Sequence, residues 1–447
     1  MRSFFAALLL LCLGAAGGAG YVWLKFQPDH AQRLRQEALL RVRDEENERL
    51  RSVIAGTERA QALEKNKTQR QEIEKQVTEI RGLSFVHPVD YALLTRKEIK
   101  AVVAGKLSDT FSEQEFINIS AALARLGLLP ENYPLREKYI DLLGEQIAAF
   151  YDQHQHKLFM FEDATLDNSQ NRVVLAHELT HALQDQHFDL LKMPLEIKNN
   201  DDRAEASSAL VEGEATIVMS EYMLKNMSLR ALKDNLVTTF GQNMEQLQKA
   251  PRFLRETLVF PYLRGQEFCS VLIDGGGYAA ISKAFANPPQ SSAQILHPEK
   301  YLAQPREDPV PVRWDDTTFG GKKPTQDNVL GEFSIRILLG ENGDPKAAER
   351  AAAGWRGDRY LSYGKGENLV WKTVWSTDED ATEFLTAERQ CLEKRYHLEN
   401  AREENGGYFS DSSRAIRLIR QKGHAILLID AGQADLADKL LAQFSQP

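Results

Sequence analysis

Residues 173–188 read VVLAHELTHALQDQHF, with His177, Glu178 and His181 in the order H-E-x-x-H. Four residues are slightly more than one helical turn, so the two imidazoles leave the same helix face about one turn apart. Two neutral imidazoles at that spacing can share one zinc ion. Glu178 follows the first of them and can reach a water in an open coordination position, where a carboxylate acts as general base. The flanking residues Val173, Val174, Leu175, Ala176, Ala182 and Leu183 are apolar and predict a buried helix. A buried helix rarely carries His, Glu and His unless something partners them.

Downstream, RAEASSALVEGEATIVMSEYMLK over 203–225 predicts a long helix. Its small residues Ala204, Ala206, Ala209 and Ala215 permit close packing against another helix. Glu212 and Glu214 sit in this apolar stretch, and buried carboxylates need a partner, of which zinc is the strongest available. Two positions apart, they point about 200° from each other, so only one of them can share a metal with the histidines. Upstream, apolar 147–151 and 157–161 flank the polar turn Asp152-Gln153-His154-Gln155-His156, which predicts a β-hairpin. His154 and His156 are read as solvated turn residues. Asp167-Asn168-Ser169 offers caps for the motif helix. Asp185, one turn past His181, is open to two readings: support for an imidazole, or an ordinary surface carboxylate.

The chain of 447 residues is 43% hydrophobic, enough for a sizeable core and two or three domains. Its net charge of −9, with mixed signs, argues against a nucleic-acid partner. Three cysteines make no disulfide framework; Cys269 and Cys391 are open to pairing or to burial as free thiols. At the N-terminus, Arg2 precedes an uncharged apolar run over 4–24 that ends at Lys25. Such a run can cross a bilayer, with Tyr21 and Trp23 at the interface. The expectation is a transmembrane signal anchor over 1–26, single-pass in the inner membrane, with the body on the periplasmic side. Small residues over 16–19 keep open a cleaved signal and a secreted chain.

Residues 27–83 are polar and helix-favouring, with apolar Leu34, Val42, Leu50, Val53, Ile73, Val77 and Ile80 recurring. They predict a solvated spacer helix, with self-association through 29–81 as a coiled coil the alternative. Residues 90–302 are expected to form the catalytic domain. It opens with two or three amphipathic helices over 90–149 and is mostly helical again from 230. The Pro- and charge-rich 303–327 is read as a linker. Residues 328–447 predict a C-terminal α+β region: a helix at 347–353, a strand at 368–375, a helix at 379–394, two strands around 421–423 and a terminal helix.

His177-Glu178-x-x-His181 followed by Glu212-Gly213-x-Ala215 resembles the gluzincin metallopeptidases, which take a third zinc ligand from a glutamate on a later helix. In the aminopeptidases of that group this glutamate stands in an Asn-Glu-Gly-x-Ala context. The resemblance therefore implies Glu212, here preceded by Val211 and 212 − 181 = 31 positions past the second histidine. A nearer likeness is to uncharacterised bacterial gluzincin-like proteins. It covers about 90–395 and rests on Phe150-Tyr151-Asp152, HELTHALQDQHF, ALVEGEAT, Pro261-Tyr262, Ile295-Leu296-His297-Pro298 and Gly354-Trp355 with Gly357-Asp358. It implies a zincin-like catalytic domain in a mainly helical α+β chain. The 157–161 strand would then be the sheet edge above the cleft, suited to pairing with a peptide substrate.

The expected function is zinc-dependent peptide-bond hydrolysis outside the cytoplasm. His177, His181 and Glu212 would hold zinc, and Glu178 would be the general base. The oxyanion needs a donor, for which Tyr262 and His297 are candidates by type, each beside a proline in a turn-like context. The other readings are Tyr262 in the core and His297 as a helix cap. Two further classes stay open: a zinc-holding, non-catalytic envelope scaffold, and hydrolysis of a non-peptide amide. Against the scaffold stands an intact Glu178, since a structural metal site needs no general base.

Overall fold

A computed structural model describes residues 27–146, 149–227, 244–341, 343–396, 402–403, 407–410 and 414–445. The chain divides into two compact units, Met1–Lys65 and Asn66–Pro447. The described part of the first is one polar helix, α1 (Gln27–Lys65), on which Leu50, Val53 and Ile54 are exposed. The expected anchor over 1–26 lies outside the described residues. Among the described residues no helix is long and apolar enough to cross a membrane.

The second unit begins with α2 (Lys67–Arg81), which corrects the spacer expectation. Ile73, Val77 and Ile80 fall on one helical face and are buried, together with Arg81. The helix ends where Gly82 adopts a left-handed conformation and donates its N–H to the Thr78 carbonyl. The apolar positions that suggested a coiled-coil seam here face the chain's own body. The solvated helix ends with α1.

Next come β1 (Asp90–Leu94), α3 (Arg96–Thr110), α4 (Glu113–Leu126) and α5 (Leu135–Gln146). Reciprocal capping boxes start two of them, Thr95 with Glu98 and Ser112 with Glu115. The hairpin forms as expected from β2 (Ala149–Asp152) and β3 (Lys157–Phe161). Its place in the sheet does not. β1 pairs in parallel with β3, giving the order β1-β3-β2, so 157–161 is the central strand and β2 is an edge. Leu158 to Phe161 are buried without alternation, the mark of a strand covered on both faces.

The motif helix α6 (Ser169–Phe188) is followed by α7 (Asp201–Asn226), α8 (Met244–Lys249), α9 (Arg252–Ala286), α10 (Ser292–Leu296) and α11 (Pro298–Leu302). Helices α7 and α9 pack backbone to backbone. A Cβ on Gly213 would lie 2.2 Å from the Gly265 carbonyl, and one on Gly265 would lie 2.0 Å from the Ala209 oxygen. Helix α9 is broken near its end at Gly276 and Gly277, the latter with φ 64°.

The C-terminal region comprises β4 (Gln326–Asn328), α12 (Gly331–Glu341), α13 (Pro345–Ala353), β5 (Trp355–Tyr363), β6 (Asn368–Trp375), α14 (Asp378–Tyr396), β7 (Arg402–Glu403), β8 (Gly407–Ser410), β9 (Ala415–Gln421), β10 (Ala425–Ala431) and α15 (Ala434–Phe444). The strands form one sheet in the order β4-β5-β6-β10-β9-β8-β7. Side chains alternate as the pleat requires. Ile426 and Leu428 join Trp355, Trp371, Trp375 and Phe384 in one core, whereas Leu427 and Ile429 join Tyr363 and Phe444 in another. The first core also takes Phe116, Leu126 and Leu142 from the region before the motif, so the regions 90–302 and 328–447 share it. The stretch read as a linker is laid against the sheet. Val310 donates its N–H to the Arg356 carbonyl at 2.6 Å, and Trp314 donates to the Phe444 carbonyl at 3.3 Å. Gly357 makes room, since a Cβ there would lie 2.1 Å from the Val310 oxygen.

Candidate metal centre

Helix α6 starts where the Asn168 side chain accepts the Gln170 N–H at 2.9 Å, and it presents His177, Glu178 and His181 in a nearly closed setting. Glu212 arrives from α7, one residue before the glycine of the close helix crossing. His177 Nε2 lies 3.1 Å from Glu212 Oε2, His181 Nε2 lies 3.4 Å from the same oxygen, and the two Nε2 atoms are 3.1 Å apart. Tetrahedral zinc, with bonds of about 2.0–2.1 Å, needs ligand atoms roughly 3.3 Å from one another. The three side chains meet that requirement and form the one such cluster among the described residues.

The electrostatics fit a place for a cation. Burial, the largest influence on Glu212, raises its pKa, yet the charges and hydrogen bonds of His181 and His177 pull it well below the usual carboxylate range. Burial works against a charge on His181, but Glu212 outweighs it and lifts the imidazole to about 9. Burial pushes the Glu178 carboxyl up, against the lowering influence of the two histidines. Glu178 Oε2 accepts the Tyr151 N–H at 2.8 Å, so the edge strand β2 holds this carboxylate.

Gln184, which the sequence did not single out, sets the His181 ring. Its Nε2 donates to the Val211 carbonyl and to Glu214 Oε2, both at 2.9 Å. That assigns the amide oxygen to His181 Nδ1, at 2.8 Å. Nδ1 is then the protonated nitrogen and Nε2 keeps its lone pair for a metal. Glu214 is fully buried and ion-paired with Arg81, away from the cluster, as its angular position on the helix predicts. His177 Nδ1 is buried without a hydrogen-bond partner among the described residues.

Tyr262 joins the site, though from within helix α9 and not from a turn, because Pro261 is accommodated inside that helix. Its ring stacks on His177 at 6.0 Å. Tyr262 is 42% exposed, and the nearby charge of Glu212 pushes its phenol well up. His297 is held elsewhere. It is the N-cap residue of α11, with Nε2 at 2.8 Å from Glu332 and Nδ1 at 3.6 Å from Glu299. Asp185 is buried and supports a different ring from the expected ones. It accepts from His156 Nδ1 and from the Tyr151 hydroxyl, both at 2.8 Å. His154 faces Glu196 at 3.1 Å. Cys269 and Cys391 are both buried free thiols.

Residues 317–441 match a family described as a domain of unknown function, DUF8575. The match covers the seven-stranded sheet and includes none of the metal-cluster residues. No curated protein and no solved structure matches the chain.

Proposed function

We propose that this chain is a zinc-dependent metallopeptidase of the zincin type. The observation that carries the proposal is the convergence of His177, His181 and Glu212 at ligand-ligand distances of 3.1 to 3.4 Å, with Glu178 beside them. Zinc in that place would be a Lewis acid that brings the pKa of a bound water to about 7. Glu178 takes the proton of the attacking water and returns it to the leaving amine. The Tyr151 N–H fixes one carboxylate oxygen and leaves the other for the water. Tyr262 is the residue for the oxyanion, since its hydroxyl already sits beside the cluster. The apolar run over 4–24 supports a membrane anchor, with the catalytic body on the periplasmic side and a peptide or protein as substrate. Self-association, where it occurs, belongs to α1.

The second reading is a scaffold that holds zinc without catalysis. The coupling of Glu178 to the edge strand speaks against it, because a structural metal does not require a second, precisely held carboxylate. The full chain should be assayed for zinc and incubated with a broad peptide library. Zinc together with cleavage that vanishes in Glu178→Gln supports the peptidase. Zinc without cleavage favours the scaffold, and turnover restricted to non-peptide amides identifies a third class of hydrolase. A chain purified under metal-sparing conditions that takes up no zinc overturns the proposal.

A further inference from the structure

We infer that Arg81, Glu214 and Gln184 form a positioning chain for His181, and that a helix far outside the motif therefore helps to set metal affinity. The inference rests on the metal-centre reading and adds residues that the H-E-x-x-H and E-G-x-A patterns do not contain.

The chain can be followed atom by atom. His181 Nδ1 donates to Gln184 Oε1 at 2.8 Å. Gln184 has one amide plane, and its nitrogen is claimed by two acceptors, the Val211 carbonyl and Glu214 Oε2. Val211 is itself the residue before Glu212, so the same amide touches the backbone that carries the third ligand. Glu214 is 0% exposed, and a carboxylate so deeply buried keeps its charge only with a cation beside it. Arg81 supplies that cation in an ion pair in which it is itself 3% exposed.

Arg81 is in turn held on three sides. It donates to Ser282 Oγ at 2.9 Å, and its guanidinium lies 5.1 Å from the Tyr278 ring and 5.8 Å from the Phe188 ring. Ser282 and Tyr278 follow the break in α9 at Gly276 and Gly277, and Phe188 ends the motif helix. The guanidinium thus joins α2, α6, α7 and α9 around one buried carboxylate. Losing the cation would leave the buried Glu214 carboxylate without its ion-pair partner and let it turn away from Gln184. That removes an acceptor from Gln184 and frees the amide to rotate. A rotated amide presents NH₂ to His181 and favours the opposite tautomer, with the lone pair on the wrong nitrogen.

The test uses the full chain, with zinc affinity measured by chelator competition. Cobalt(II) is substituted to report ligand geometry by visible absorption, and thermal melting monitors the fold. Gln184→Leu should weaken zinc binding roughly 10- to 100-fold, the usual size for loss of support to a metal-bound histidine, and should shift the cobalt spectrum. Arg81→Met should weaken it in the same direction, with partial recovery in Arg81→Lys. Because all three residues act through one amide, Arg81→Met combined with Gln184→Leu should bind zinc no worse than Gln184→Leu alone. A merely structural role for Arg81 would lower the melting temperature and leave the affinity unchanged. Zinc affinity within twofold of wild type in folded Gln184→Leu or Arg81→Met overturns the chain while leaving the metal centre standing. A wild-type chain that binds no zinc overturns both.

Discussion

Two carboxylates, one in each half of the second unit, illustrate opposite uses of the same chemistry: Asp358 is buried and Glu212 is 21% exposed. Asp358 in β5 is surrounded by donors. The N–H groups of Leu330 and Gly331 and the indoles of Trp355 and Trp371 reach it at 2.9 to 3.0 Å. Its acceptor capacity is used up by the fold, and no site is left for a ligand. Glu212 in α7 faces two imidazole nitrogens and a phenol, and two of those three contacts compete for the same carboxylate oxygen. Convergence of lone pairs on one point is unfavourable without a cation, whereas saturation by N–H groups is favourable without one. Burial alone therefore does not identify a functional acid; the sign of what surrounds it does. The Gly354-Trp355 and Gly357-Asp358 pairs that contribute to the family likeness belong to the saturated kind.

The largest effect expected at the convergent site is in catalysis. Glu178→Gln should retain zinc while peptide hydrolysis falls roughly a thousandfold, as expected for loss of a general base; metal analysis beside a rate assay checks it. His177→Ala should instead lose most of the metal along with the activity. If the two variants behave alike, Glu178 has no role separate from metal holding.

At the saturated site the expected effect is on stability. Asp358→Ala leaves four buried donors unmet and should cost about 3 kcal/mol or more in denaturant unfolding. The zinc content of the folded fraction should be unchanged. Lost zinc in well-folded Asp358→Ala would mean that the two regions are coupled more tightly than this contrast allows.

Tyr262→Phe should keep zinc and lower the turnover number by roughly a hundredfold, with KM changing less, the pattern of an oxyanion donor. An unchanged turnover number would reduce the tyrosine to a packing partner of His177.

The smallest expected effect concerns a third carboxylate, Glu388 in α14. Both of its oxygens lack a hydrogen-bond partner among the described residues, and burial lifts its pKa to about 7. The folded state thus holds the proton more tightly than the unfolded chain does. This favours folding as pH falls from about 7 toward the ordinary glutamate range, and the penalty is complete above the folded pKa. Glu388→Gln should therefore stabilise the chain at pH 8, by on the order of 3 kcal/mol at most. The gain should shrink steadily toward pH 5. A pH-independent difference would show that the Glu388 carboxylate has a hydrogen-bond donor after all.

Local signals were legible in the sequence. The motif spacing, the hairpin around 152–156, the strand Asn368–Trp375 and the angular separation of Glu212 from Glu214 depend on neighbours along one element, and all appear as expected. What was not legible depends on remote partners. Residues 90–94 carry no alternation and become a strand by pairing with β3, which turned the expected edge into the centre of its sheet. Strand β5 contains Arg356, Asp358 and Arg359, charges that disguise a strand until their partners Glu307 and Asp327 and the two indoles are in place. Arg81 stands 133 positions before Glu214 (214 − 81 = 133), and no local pattern joins them. The turn-like readings of Tyr262 and His297 came out differently. Pro261 did not end its helix, so Tyr262 is helical, whereas His297 does stand at a non-helical junction, between α10 and α11, where it meets Glu332.

The glycine contact between α7 and α9 has a consequence for how this site tolerates change. Gly213 is the neighbour of Glu212, and its missing side chain is what lets the two helix backbones approach so closely. The reach of the third ligand is therefore gauged by a purely apolar clearance. One methyl group at position 213 or 265 would lever α7 outward and withdraw the carboxylate from the imidazoles, without altering a single charge or hydrogen-bonding group. The candidate metal centre thus has a mechanical tolerance as well as a chemical one, and the mechanical one is set by residues that have no side chain.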